Sequence, residues 1–180
     1  MSNKAGNNKA RKSRETGAQT RSKHGRKRVH AGNIVLAVLL VLWLCLIWFH
    51  SSRPAEESSK ESGWLLSLAH NIFPSLTEHA LRKLAHVFEY AVLGILSSLL
   101  FLLRLKTRNM LHRYIVLRSG GWLIAFGLAV PVIDEAIQLM TPGRSAEVLD
   151  VMIDFGGFAA GTLITALIFY LAYRRKFRKD

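Results

Sequence analysis

Lys83, His86 and Tyr90 recur at intervals of three and four residues, so on a helix they share one face, with Glu89 beside it. Asp134 and Gln138 are four apart, with Glu135 adjacent, and the turn Thr141-Pro142-Gly143-Arg144 follows. Asp150, Asp154, Gly157 and Gly161 draw a third stripe at 4-3-4 spacing. Carboxylates, basic groups and one imidazole of this kind can hold a charged ligand or move a proton. His86 has the one ordinary pKa in the set that lies near neutrality, and Glu89 or Asp134 could orient it as a general acid/base. No Ser or Cys nucleophile accompanies it at suitable depth, so the catalytic residues stay unassigned among His86, Glu89 and Asp134. Surplus carboxylates and a His suit Mg²⁺ or Zn²⁺ in principle. No recognised ligand spacing is present, however, so no metal or other cofactor is expected.

These residues sit in unusual surroundings. Half of the 180 residues are hydrophobic, yet the net charge is +13 and the mean hydropathy is +0.19. The two properties are segregated along the chain. Residues 1–30 hold ten Lys/Arg and almost nothing apolar. Runs at 32–49, 84–103, 122–140 and 151–173 are apolar over about 20 residues, a membrane thickness. This composition excludes a soluble enzyme, a collagen-like fibre and a disulfide scaffold. The single cysteine, Cys45, lies inside the first run and has no intrachain partner. A basic region before an apolar one also fits a signal peptide. The long basic region, the long apolar run and the lack of a clean cleavage site in SSRPAEESS favour a retained helix.

The expected fold is therefore an all-α membrane protein with four transmembrane helices. Its amino-terminal tail (1–30) reads as disordered and basic, followed by a four-helix membrane domain (31–173) and a basic tail (174–180). Twenty of the 25 Lys/Arg lie in the amino-terminal tail, the 104–118 loop and the carboxy-terminal tail. An N-in, C-in arrangement puts all twenty on the cytoplasmic side. Ten of the twelve acids fall in or beside the outer segments. The expected location is the bacterial cytoplasmic membrane, crossed several times. The bilayer is the first partner. The tail lacks interleaved aromatics, so nucleic acid is not expected, and oligomeric state is not legible.

In the first outer loop, Trp64, Leu65, Leu68 and Ile72 recur at helical spacing, which predicts a short amphipathic helix over 62–73 at the outer interface. Ser75 and Glu78 fit a capping box that starts the next helix near Leu76. The 104–120 segment reads as a basic loop closed by Gly120-Gly121.

At a rise of about 1.5 Å per residue, all the intramembrane charges lie within roughly 10 Å of the outer boundary. Each charge costs roughly 2.5–3.5 kcal/mol at a helix centre and less towards the ends. Some of these groups have simpler roles open to them: Arg82 and Lys83 as snorkelling cations, Asp150 as the cap of the fourth helix. Taken together, five acids (Glu89, Asp134, Glu135, Asp150 and Asp154) facing Lys83, Arg144 and a His form a mutually paired cluster. That cluster is either a site or glue between helices. Arg144 is expected to pair with Asp150 or Glu135. Pro131, one turn before Asp134, should kink its helix. Gly157 and Gly161 permit close helix approach, within the chain or between two copies.

Two stretches resemble the VanZ-like family of bacterial membrane proteins. RKLAHVFEYAVLGIL (82–96) is similar to its Lys-x-x-His-x-x-x-Tyr-x-x-Leu pattern on Lys83, His86, Tyr90 and Leu93. DEAIQLMTPGRSAEVLDVMIDFGGFAAG (134–161) is similar to its second pattern. That places Asp134, Glu135, Gln138, Arg144, Asp150, Gly157 and Gly161 on family positions. Asp154 stands where the family commonly has Asn, which adds a negative charge. The family takes its name from a protein linked to resistance against the glycopeptide teicoplanin. The resemblance implies an envelope role without supplying an activity. Two functions follow as expectations. One is an outward-facing site that binds a cell-wall or lipid-linked ligand and contributes to glycopeptide tolerance. The other is an intramembrane enzyme using His86 on such a lipid. Proton-coupled transport would need polar groups across the whole membrane, and the inner halves of the four runs lack them.

Overall fold

The computed structural model describes residues 31–107 and 113–177. The tail at 1–30, read above as disordered, and the last residues of the carboxy-terminal tail lie outside the described residues. Five helices follow one another: α1 (Ala31–Ser51), α2 (Ala55–Ala69), α3 (Glu78–Thr107), α4 (Arg113–Leu139) and α5 (Val148–Phe177). No strand occurs among the described residues. α1, α3, α4 and α5 are each long and apolar enough to cross a membrane. Apolar side chains can face lipid, but main-chain N–H and C=O groups cannot, so an apolar run of this length closes its hydrogen bonds internally as helix. Leu42, Trp122, Leu163 and Ile168 are among the many large apolar side chains left exposed on these helices.

Element boundaries correct the sequence reading in four places. α2 starts directly after Pro54 and ends at Ala69, so it takes in most of SSRPAEESS and stops before Ile72. Proline lacks an N–H to satisfy and tolerates the start of a helix. Lys60–Glu56 and Arg53–Glu57 ion pairs run along this first part. Trp64 and Leu68 are exposed on the helix and Ile72 on the turn after it. The residue capping α3 is Thr77, whose Oγ1 accepts the Ala80 N–H at 3.2 Å, rather than Ser75. Gly120 and Gly121 lie inside α4 rather than closing a loop. α5 begins at Val148, which puts Asp150 in its first turn rather than at its cap.

α3 and α5 form the tightest helix pair, and glycine makes this possible. A Cβ on Gly161 would overlap the Ala91 carbonyl, one on Gly157 the Val87 carbonyl, and one on Gly94 the Phe158 carbonyl. The small-residue stripe thus serves packing within the chain, against the second span, and α3 already covers the face a second copy would need. Phe158 fills the space over Gly127 and meets Phe126 edge-on, ring centres 6.3 Å apart. Ile47, Tyr90, Leu93, Val130 and Phe158 form the buried core. α1 joins it through Ile47 and through the Trp43 indole N–H, which donates to the Glu89 carbonyl at 2.9 Å. Ser97, Ser98 and Thr165, towards the other end of the bundle, return their hydroxyls to carbonyls one turn back.

Candidate functional site

The amino-terminal ends of α3 and α5 and the carboxy-terminal end of α4 meet at the carboxy-terminal end of α1. Lys83, one and a half turns into α3, reaches α5: its Nζ lies 2.7 Å from Asp150 Oδ1 and 3.8 Å from Glu147 Oε2. Glu135 of α4 also secures α5, its Oε2 accepting the Glu147 main-chain N–H at 3.0 Å. That N–H belongs to the residue preceding the helix, which has no partner within it. Lys83 and Glu135 therefore act as a clamp on the start of α5 from two sides.

One turn deeper the groups become buried. Asp134 and Tyr90 are fully inaccessible and Asp154 is 1 % exposed. His86 points between the two acids, with Nδ1 3.8 Å from Asp134 Oδ2 and 3.7 Å from Asp154 Oδ2. Gln138, one turn after Asp134, donates to its Oδ2 at 3.4 Å. The Tyr90 hydroxyl and, from α1, the Ser51 hydroxyl face Asp134. Pro131 is buried one turn before Asp134. Its missing N–H leaves a carbonyl of α4 without a helical donor.

Arg144 departs from expectation. It makes no ion pair with Asp150 or Glu135. Its Nε donates to the Arg53 carbonyl at 3.1 Å and its Nη2 to the His50 carbonyl at 3.2 Å. The end of α1 explains the choice: the His50 carbonyl, in its last turn, has no donor within the helix and carries the negative end of the helix dipole, and the Arg53 carbonyl follows it in the junction to α2. Burial, and then the charge of Arg82, pull the guanidinium below its ordinary pKa, which starts so high that the group stays charged. The rest of the turn follows Arg144 onto α1. The Thr141 hydroxyl contacts the Ser51 carbonyl at 3.3 Å, and the Ala55 N–H donates to the Pro142 carbonyl at 3.3 Å. Gly143 takes φ +75° beside Ala55, a left-handed conformation that favours glycine.

Glu89 also has a different role. It does not orient His86. Its Oε1 lies 2.6 Å from His50 Nδ1 of α1. His50 and Ser51 were the members of the cluster that sequence reasoning missed. A signal existed, since both stand at the outer end of the first run, the depth at which the other spans carry polar groups. Within α1 nothing else polar repeats at helical spacing to mark them.

Two small cavities flank His86. One, of about 140 Å³, is walled by His86, Glu135, Gln138 and Asp154, with Arg82, Lys83 and Arg144 around it. The other, of about 180 Å³, lies towards α1 and α2 between His50, Ser62, Arg82, Glu89 and Arg144. His86, Arg82 and Arg144 border both. Of the residues expected in one cluster, Lys83, His86, Tyr90, Asp134, Glu135, Gln138, Asp150 and Asp154 do gather on α3, α4 and α5. Arg144 borders the same space while bonding to α1. The arrangement places an imidazole and carboxylates in the wall of a cavity of mixed charge, in which Arg82, Lys83 and Arg144 stand beside Glu135, Glu147, Asp150 and Asp154.

The family model for VanZ/LLP1 matches residues 36–170, from within α1 to near the end of α5. No curated protein and no solved structure matches the chain. The chain belongs to the VanZ/LLP1 family, and its four apolar helices make it a multi-pass, membrane-type protein.

Proposed function

We propose that this protein works in the bacterial cytoplasmic membrane, where it binds the anionic headgroup of a lipid-linked envelope molecule at the end of the bundle that faces outwards. The observation that carries this reading is the 140 Å³ cavity that gathers Arg82, Lys83 and Arg144 beside the acids Glu135, Glu147, Asp150 and Asp154, set at the ends of helices that lipid surrounds. Arg82 is the cation there with no acid paired to it in the cavity wall, and Lys83 is held by Asp150. A space of that size takes a phosphate or a similar group and leaves the rest of the ligand outside, with its acyl chains in the bilayer. Cations at such a mouth draw in an anion and are worth more where water is scarce. The outward orientation rests on the Lys/Arg bias. A contribution to glycopeptide tolerance follows from this reading, since a protein that holds a cell-wall precursor changes what the antibiotic meets.

A second reading has its own support. His86 Nδ1 lies near two buried carboxylates, an environment that suits a proton-transferring imidazole. One experiment addresses both readings. Lipids and cell-wall precursors are profiled, and teicoplanin susceptibility measured, in a deletion strain carrying the wild-type gene, His86→Ala or His86→Gln. Binding alone predicts a phenotype lost in His86→Ala and largely kept in His86→Gln, which still forms hydrogen bonds. Acid/base chemistry predicts loss in both, at normal protein abundance. An unchanged profile and unchanged susceptibility in the deletion strain would remove both.

A further inference from the structure

We propose that His86, Asp134 and Asp154 bind a divalent transition-metal cation of the Zn²⁺ or Mn²⁺ kind. One ligand atom from each residue lies within 4.8 Å of the others. The two His–Asp separations, 3.7 and 3.8 Å, are too long for hydrogen bonds. They are near the ligand–ligand spacing of about 3.4 Å that a tetrahedral centre with bonds of 2.0–2.2 Å requires. Unpartnered atoms add an independent argument. His86 Nδ1 and Asp154 Oδ2 are buried without a hydrogen bond, and Asp134 is met only by the Gln138 amide and the Tyr90 and Ser51 hydroxyls, none of which carries a charge. Both aspartates are almost wholly inaccessible. Buried polar groups without partners are costly, and buried charges are normally paired or coordinated to metal. Of the neighbouring cations, Lys83 is engaged with Asp150, Arg144 with two carbonyls and His50 with Glu89, while Arg82 borders the cavities and forms no ion pair with either aspartate. A positive charge is missing at the centre of the three.

The donor set selects the metal class. One imidazole nitrogen with two carboxylates suits Zn²⁺ or Mn²⁺, whereas Ca²⁺ takes six to eight oxygens and Mg²⁺ keeps several waters. Three protein ligands leave a coordination position open, and His86 and Asp154 both line the 140 Å³ cavity. The cation would also offset Glu135, Glu147 and Asp150, acids in the wall of a cavity otherwise proposed to accept an anion. The inference goes beyond the headgroup reading and stands without it, because the three ligands and their burial make no use of the lipid.

The test uses the full chain purified in detergent, stripped with a chelator and titrated with Zn²⁺ and separately with Mn²⁺. Thermal unfolding reports the bound state and electron paramagnetic resonance reports the Mn²⁺ environment. We expect about one equivalent per chain, a melting temperature several degrees higher with metal, and little response to Mg²⁺. Asp154→Asn, which keeps side-chain shape, and His86→Gln should each weaken affinity by at least about 100-fold, the upper end of what loss of even an outer-shell partner costs. His79→Gln, at the cavity edge, should leave affinity unchanged. Absence of saturable Zn²⁺ or Mn²⁺ binding to the stripped wild-type chain would overturn the proposal, whatever the variants do. Full affinity in a folded Asp154→Asn or His86→Gln would overturn it too.

Discussion

His50 of α1 and Glu89 of α3 meet at 2.6 Å across 39 residues of sequence, and the carboxylate is the buried member of the pair. Together with the Trp43–Glu89 hydrogen bond, this contact attaches the most lipid-exposed helix to the bundle. His50 is about half exposed, so water screens the pair, and its coupling should be about 0.5–1 kcal/mol. A double-mutant cycle with His50→Ala and Glu89→Gln, read by thermal unfolding in detergent, checks this. Strict additivity of the two changes would mean that the contact contributes nothing.

Arg144→Ala should destabilise the fold through α1 rather than through the acids. It removes charge-assisted donors from the His50 and Arg53 carbonyls, each worth about 1.5–3 kcal/mol when protected from water. The partly exposed site places the total near the lower end. Arg144→Lys should recover part of the loss, since an ammonium can reach one carbonyl but lacks the fork. A change in stability that disappears in the Glu135→Gln background would instead point to the ion pair that the sequence suggested.

Gly161→Val and Gly157→Val should prevent α3 and α5 from closing, because the atoms in the way are main-chain carbonyls that cannot rotate aside. Overpacking typically costs about 1–3 kcal/mol, and a helix-to-helix backbone clash belongs at the upper end or beyond. Gly156→Ala is the matched control, since nothing lies within 4 Å of a Cβ there. Size-exclusion profiles of fluorescent fusions should show lost monodisperse protein for the first two and a normal peak for the control.

Reporter fusions after Glu61, Asn109, Ser145 and Asp180 should read outside, inside, outside, inside. The warrant is the distribution of twenty Lys/Arg against five. The α4–α5 turn bonds to the α1–α2 junction through Arg144, Thr141 and Pro142, so both must lie on the same side. Opposite readings at Glu61 and Ser145 would contradict the fold itself, and an inside reading at both would invert the site.

Much of this molecule was legible in its sequence because lipid leaves few choices. Four apolar runs could only become helices, and their polar residues had to share one layer, since helical spacing and depth are both functions of residue number. Lys83, His86 and Tyr90 fell on one face of α3 for that reason, and Gly157 and Gly161 on one face of α5. Partner choice was different. Whether Arg144 turns to Asp150 or to the end of α1, and whether Glu89 serves His86 or His50, depends on how helices rotate and tilt against each other. The α3–α5 contact sets that rotation: Gly94, Gly157 and Gly161 let two backbones touch, which places Asp154 opposite His86 and leaves Glu89 facing α1. Only the tertiary structure could bring His86, Asp134 and Asp154 within 4.8 Å, because each stands on a different helix and no local spacing encodes their meeting.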